Sequence, residues 1–176
     1  MRALVLHPDA RLRDKSAPVT AFTPALRDLA EQMLTTMTVS AGFGLAAIQI
    51  GEPIRLVTLA CGGDLPRVVV NPEVLWRNVR QREHHEGCLS IPGVYATLKR
   101  SAEVRIRYQD LDGESHVALF REKAATCIQH EMDHLDGKLF LDRLSRRERE
   151  AALAEGRERR GRDLVLEDDA RILRVA

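Results

Sequence analysis

The hexapeptide Gln129-His130-Glu131-Met132-Asp133-His134 carries residue types and a spacing that could do chemistry. On a helix each residue advances about 100°, so His130 and His134 share a face roughly one turn apart. That separation lets two imidazoles hold one metal ion. Glu131 falls beside the same face, near enough to meet a water on the metal without being a ligand. Two histidines and a non-ligating glutamate are the working parts of metal-assisted hydrolysis. A solvated helix face with two surface histidines is the plainer alternative, and a site needs a third ligand from elsewhere.

Cys88, in Glu86-Gly87-Cys88-Leu89-Ser90-Ile91-Pro92, is the best candidate for that ligand. Cys127 is a rival, since Cys127, His130 and His134 fall at i, i+3 and i+7 on one helix face. Three ligands on one helix run roughly parallel, whereas a ligand from a separate segment closes a tetrahedron more readily. Cys127 fits better as a small buried hydrophobe. His84 and His85, between Glu83 and Glu86, read as polar surface.

The elements that position these residues are legible in part. Thr23 as N-cap, Pro24 at the first helical position and Leu26, Leu29, Ala30, Met33 and Met37 at helical spacing predict a core-packed helix. Ser40 to Gln49 contains Gly42 and Gly44 with small neighbours, which points to a tight turn against a pocket. Gln49 either faces that pocket or is a satisfied structural amide. Strand-like runs follow at 54–60, 67–70 before Asn71-Pro72, and 74–79. Val104, Ile106 and Tyr108 alternate with polar residues, and Asp112-Gly113 predicts a two-residue hairpin turn into 117–120. These are antiparallel signals. Ser145 and Glu148 form a capping box for a charged last helix. Leu164, Leu166, Ile172 and Leu173 form an apolar set in the tail, suited to packing or to a partner.

The 176 residues, 44% of them hydrophobic, suit one domain spanning the whole chain. With 27 basic and 26 acidic residues and a net charge of +1, no general field exists for DNA or an anionic membrane. No apolar run reaches the roughly 20 residues of a membrane span, and the N-terminus is too short in apolar residues for a signal peptide. Cys61, Cys88 and Cys127, an odd and widely spaced set, read as cytosolic thiols with one available to a metal.

The chain resembles the peptide deformylase family in three segments, in order: Gly42-Phe43-Gly44-Leu45-Ala46-Ala47-Ile48-Gln49, Glu86-Gly87-Cys88-Leu89-Ser90, and Gln129 to Gly137. His7-Pro8-Asp9 with Arg11-Leu12-Arg13, and Asn71-Pro72-Glu73, also match. The resemblance covers residues 1 to about 145, and the tail from about 146 lies outside it. It implies an α+β fold, mostly antiparallel strands packed around a central helix bearing the His-Glu-x-x-His motif, with a C-terminal helix. It implies a metallohydrolase that releases formate from the N-terminal formylmethionine of nascent chains in the cytoplasm. The partners implied are an N-formylated peptide and, transiently, the ribosome.

The resemblance makes Cys88, His130 and His134 the ligands of one divalent ion, leaving a fourth position for water. Fe(II) is the expected ion, with zinc, nickel or cobalt able to replace it; thiolate and imidazole ligands suit such metals. Glu131 becomes the general base. The Gln49 side-chain amide and the Leu89 backbone N–H become the oxyanion hole. Phe43, Gly44, His84, Lys123 and Cys127 fall at substrate-binding positions, with Gly44 letting backbone approach the substrate. Glu86 and Arg100 would pair to brace the cysteine loop.

The chain departs from the family pattern in one place. Glu122-Lys123-Ala124-Ala125-Thr126 stands where a glycine and aliphatic residues are usual, and His84 replaces an aliphatic residue. Polar walls must be desolvated to seat a methionine thioether. Three readings follow: an ordinary deformylase with Lys123 turned to solvent, an enzyme of the same chemistry acting on another N-formyl or N-acyl substrate, or a non-catalytic metal-binding homologue. Retention of Glu131 argues against the last.

Overall fold

The computed structural model describes residues 2–61 and 67–172, the side chains of 67 and 161–172 excepted. Three helices, α1 (Pro24–Val39), α2 (Glu122–Leu135) and α3 (Arg146–Ile172), accompany seven strands. The strands are β1 (Gly44–Ala46), β2 (Leu56–Leu59), β3 (Arg67–Arg77), β4 (Gln81–Cys88), β5 (Ile91–Ser101), β6 (Glu103–Gln109) and β7 (Ser115–Arg121). Five form an antiparallel sheet in the order β1-β2-β3-β6-β7, while β4 and β5 pair as a separate long hairpin. The α+β class expected from the sequence is the one observed.

Strand alternation divides the core between the two faces of the sheet. Val57, Val69, Val104, Ile106 and Phe120 pack with Ala125, Ile128, Met132 and Leu135 of α2. On the opposite face Leu45, Leu56 and Val70 meet Leu26, Met33 and Met37 of α1. Each such buried aliphatic side chain contributes about 1.5–3 kcal/mol relative to exposure, so α2 is anchored along one whole side. A third cluster, with Val94 and Leu98 from β5, Leu139, Phe140 and Leu141, and Ala152 of α3, closes the far side of the hairpin. The capping box that starts α3 is formed: Ser145 N donates to Glu148 Oε2 at 2.9 Å and Glu148 N to Ser145 Oγ at 3.3 Å.

Three details differ from the sequence reading. The runs at 67–70 and 74–79 are one strand, carried through Asn71-Pro72 by irregular register between Val70 and Glu73. Asn71 takes φ 49°, and its amide exchanges two 2.8 Å hydrogen bonds with the Val19 backbone, which holds that turn of the chain. Asp112-Gly113 is not a two-residue hairpin turn. Gln109 pairs with Ser115, leaving residues 110–114 as the loop, because the Asp110 carboxylate accepts from the N–H groups of Asp112 and Glu114 and props it open. The β4–β5 hairpin has no counterpart in the sequence reading, since Gln81 to Glu86 is polar throughout. The side chains of Leu164, Leu166 and Ile172, and all of Leu173, lie outside the described residues.

Candidate metal centre

α2 runs under the end of the β4–β5 hairpin, and the proposed ligands meet there. His130 and His134 project from one face of α2 with ring centroids 5.0 Å apart and planes at 68°. Cys88, the last residue of β4, brings Sγ to 3.2 Å from His134 Nε2. One donor atom from each of Cys88, His130 and His134 lies within 4.8 Å of the others. Cys127 packs against the core beside Cys61, whose hydrogen bond, together with burial, raises the Cys127 thiol pKa. It stands outside the cluster that could hold a metal.

A buried ionic network fixes the His130 imidazole. His130 Nδ1 meets Glu86 Oε2 at 2.8 Å, which leaves Nε2 for the cluster. Arg100 grips Glu86 with Nε at 2.5 Å and Nη2 at 2.8 Å, and reaches Asp133 with Nη1 at 2.8 Å. Asp133 also accepts from Arg143 at 2.7 and 2.6 Å. Burial disfavours a charged Glu86, but its hydrogen bonds from His130 and Arg100 outweigh that and hold its pKa below the usual carboxylate value. Burial would likewise lower His130; bonds to Cys88 and Glu86 instead raise it to about 10. His134 is pushed well down, by burial and then by its charged neighbour His130. The structure brings Glu86 and Arg100 together. Asp133 and Arg143 were not singled out: Asp133 occupies a variable position inside the motif, and nothing local ties Arg143 to it.

Glu131 is 4% exposed, and its Oε2 has no hydrogen-bond partner among the described residues. Burial raises its pKa to about 7, against the pull of His130 and Arg100. A buried carboxylate with an unused oxygen beside three atoms that could hold a metal is the signature of a functional site. Gly44 makes room for it. A Cβ there would lie 2.4 Å from Glu131 Oε1, so the close approach that glycine permits is to Glu131 itself. Gln49 follows Gly44 in a short 3-10 helix, Ala47–Ile50. Its Oε1 accepts from Ala46 N at 2.8 Å, and its Nε2 donates to Ser90 Oγ at 3.1 Å and toward Cys88 Sγ at 3.5 Å. The amide is thus both anchored and turned into the site. Ser90 escaped the sequence reading. Leu89 stands in the β4–β5 turn, with its side chain against Gly42.

A cavity of about 800 Å³ opens beside these groups, lined among others by Phe43, His84, Thr126 and Glu131. Lys123 and Cys127 border it too. Lys123 is exposed, yet its Nζ sits 3.1 Å from the centroid of the Phe43 ring rather than free in solvent. Along β4, His84, Glu86 and Cys88 share one face, while His85 stacks on Tyr95 on the other, 5.6 Å between centroids. Both adjacent histidines line the cavity, His84 from the face of β4 that also carries Glu86.

The donor set fits a borderline divalent ion. Tetrahedral bonds of about 2.3 Å to sulfur and 2.1 Å to nitrogen space such a pair about 3.6 Å apart, close to the Cys88–His134 separation. A helix with two histidines one turn apart, a cysteine from a separate strand and a desolvated glutamate are the parts of a metal-dependent hydrolase. The polypeptide deformylase family model matches residues 1–150, and the chain belongs to that family. A peptide deformylase of Rhodopseudomonas palustris is 47% identical over 155 residues, covering 85% of this chain and 86% of the relative. One from Bartonella tribocorum is 42% identical over 165 residues, covering 90% and 93%. A solved peptide deformylase of Legionella pneumophila has 36% identity and a TM-score of 0.86 over 93% of this chain and 98% of its own. The Synechococcus elongatus enzyme in complex with actinonin has 38% identity and a TM-score of 0.82, covering 88% and 85%. The chain is accordingly a hydrolase. No helix among the described residues is long and apolar enough to cross a membrane.

Proposed function

We propose that this enzyme removes the formyl group from the N-terminal formylmethionine of nascent polypeptides in the cytoplasm, in transient contact with the ribosome. The observation that carries the reading is the Cys88, His130 and His134 donor cluster beside the unpaired Glu131 carboxylate. Cys88 Sγ and one nitrogen each of His130 and His134 would hold the ion, Fe(II) foremost, with zinc, nickel or cobalt as substitutes. When bound, it supplies the Lewis acidity that polarises a carbonyl and eases deprotonation of water.

The chain's own residues do the rest. Glu131, whose burial favours holding a proton, accepts one from water on its free Oε2 and returns it to the leaving amine nitrogen. Water adds to the formyl carbon, the C–N bond breaks, and formate and a free amino terminus leave. Gln49 Nε2 and the Leu89 backbone N–H donate to the formyl oxygen as it gains charge; Ser90 and Cys88 hold that amide in place beforehand. Glu86 fixes the His130 tautomer, and Arg100 fixes Glu86. Phe43, Gly44, His84, Lys123 and Cys127 form the walls around the substrate. Release of formate from formyl-Met-Ala by the Fe(II)-loaded protein under anaerobic conditions tests the reading. Turnover supports it, and a metal-loaded, folded protein that releases no formate refutes it.

A further inference from the structure

We propose that the cavity beside Glu131 seats side chains of about methionine's length that end in a neutral oxygen acceptor, such as glutamine or methionine sulfoxide, with His84 and Lys123 as the donors. The proposal rests on the deformylase reading and adds oxygen-tipped side chains to the methionine that the site accepts next to the formyl group.

Two observations carry it. His84 shares the inward face of β4 with Glu86 and Cys88, and its Nε2 is buried with no hydrogen-bond partner among the described residues. A buried ring nitrogen is ordinarily bonded, so an unpaired one on a cavity wall is a vacancy for a ligand atom. Lys123 is in no ion pair among the described residues; its ammonium is parked at the cavity rim, 3.1 Å above the Phe43 ring. One wall therefore offers two polar groups where an aliphatic wall would suit a thioether. A thioether must desolvate both without bonding either, whereas an oxygen acceptor satisfies them. Burial lowers the His84 pKa, so the ring is neutral near pH 7 and can keep its proton on Nε2 and donate it. A neutral acceptor is specified because a carboxylate tip would lose far more hydration on entering the cavity.

The test compares kcat/KM of the metal-loaded enzyme on formyl-Met-Ala, formyl-norleucyl-Ala, formyl-Gln-Ala and the methionine sulfoxide peptide. Norleucine matches methionine in length and carries no acceptor. The oxygen-tipped peptides should be turned over at least as fast as the norleucine peptide. The ratio of sulfoxide to norleucine turnover should fall about tenfold or more in Lys123→Leu and in His84→Ile, which is what one hydrogen bond to such a donor supplies. Lys123→Arg, which keeps the charge, should hold the ratio. Because each ratio is taken within one protein, losses through folding or metal content cancel. A norleucine peptide preferred by the wild type, or a ratio unmoved in either variant, overturns the proposal and leaves the deformylase reading intact. No turnover of any peptide, formyl-Met-Ala included, overturns both.

Discussion

Replacing Arg100 by methionine removes a guanidinium that is 1% exposed and strands two carboxylates, Glu86 at 4% and Asp133 at 10% side-chain exposure. The long thioether fills much of the volume, so the loss is mainly electrostatic. Asp133 keeps Arg143 at 2.6 Å, and Glu86 keeps only the His130 nitrogen at 2.8 Å. Breaking a buried pair by removing one partner costs about 3–5 kcal/mol; with Arg143 still in place the lower end, about 3 kcal/mol, is expected. Against a domain stability of about 5–15 kcal/mol, the variant still folds. Freed from Arg100, Glu86 also holds His130 less firmly, so metal affinity should drop about 10–100-fold. Denaturant unfolding at pH 7 reads the first quantity and a competitive metal titration the second. The double variant Arg100→Met/Glu86→Gln, which removes the stranded charge, should regain part of the stability. A loss for Arg100→Met below about 1 kcal/mol, the size of a surface ion pair, would refute the account of the network.

Further expectations follow from the same geometry. Gly44→Ala places a Cβ 2.4 Å from Glu131 Oε1 and must displace the carboxylate; formate release should fall about 100-fold at unchanged metal content. Cys127→Ala should leave metal stoichiometry at the wild-type value while Cys88→Ser lowers it, read by elemental analysis; a drop in the first variant would make Cys127 a ligand after all. Asp142 is paired with Arg13 and bonded to Leu139 N, and these bonds depress its folded pKa below 3.8. Its contribution is therefore present above pH 3.8 and lost as pH falls through the lower folded value. In denaturant unfolding, the stability gap between wild type and Asp142→Asn should close over that acid range, and a gap constant with pH would contradict the assignment.

The parts of the site legible in the sequence are those fixed by local geometry. Helical periodicity alone sets His130 and His134 on one face with Glu131 beside them, and the Ser145–Glu148 box reads directly because its bonds span three residues. Cys88 was legible as the best third ligand because it comes from a segment separate from the helix, and the family motif agreed; the end of β4 against α2 that delivers it was not legible. The β4–β5 hairpin escaped because its first strand shows no hydropathy alternation: its inward residues are His84, Glu86 and Cys88, polar groups committed to the site. Asp133 was missed for a related reason. Its partners Arg100 and Arg143 come from distant segments, and a carboxylate within a polar motif looks like surface until the fold buries it. Lys123 was expected in solvent on the ordinary reading; the Phe43 ring beneath it has no sequence signal at a separation of eighty residues.

The central claim is that Glu131 moves the proton and ligates nothing. The direct measurement is metal content and formate release of Glu131→Ala, loaded with Fe(II) without oxygen, beside the wild type. The account predicts metal at wild-type stoichiometry and turnover of formyl-Met-Ala lowered about 10²–10⁴-fold. Loss of the metal, or turnover within tenfold of wild type, would contradict it.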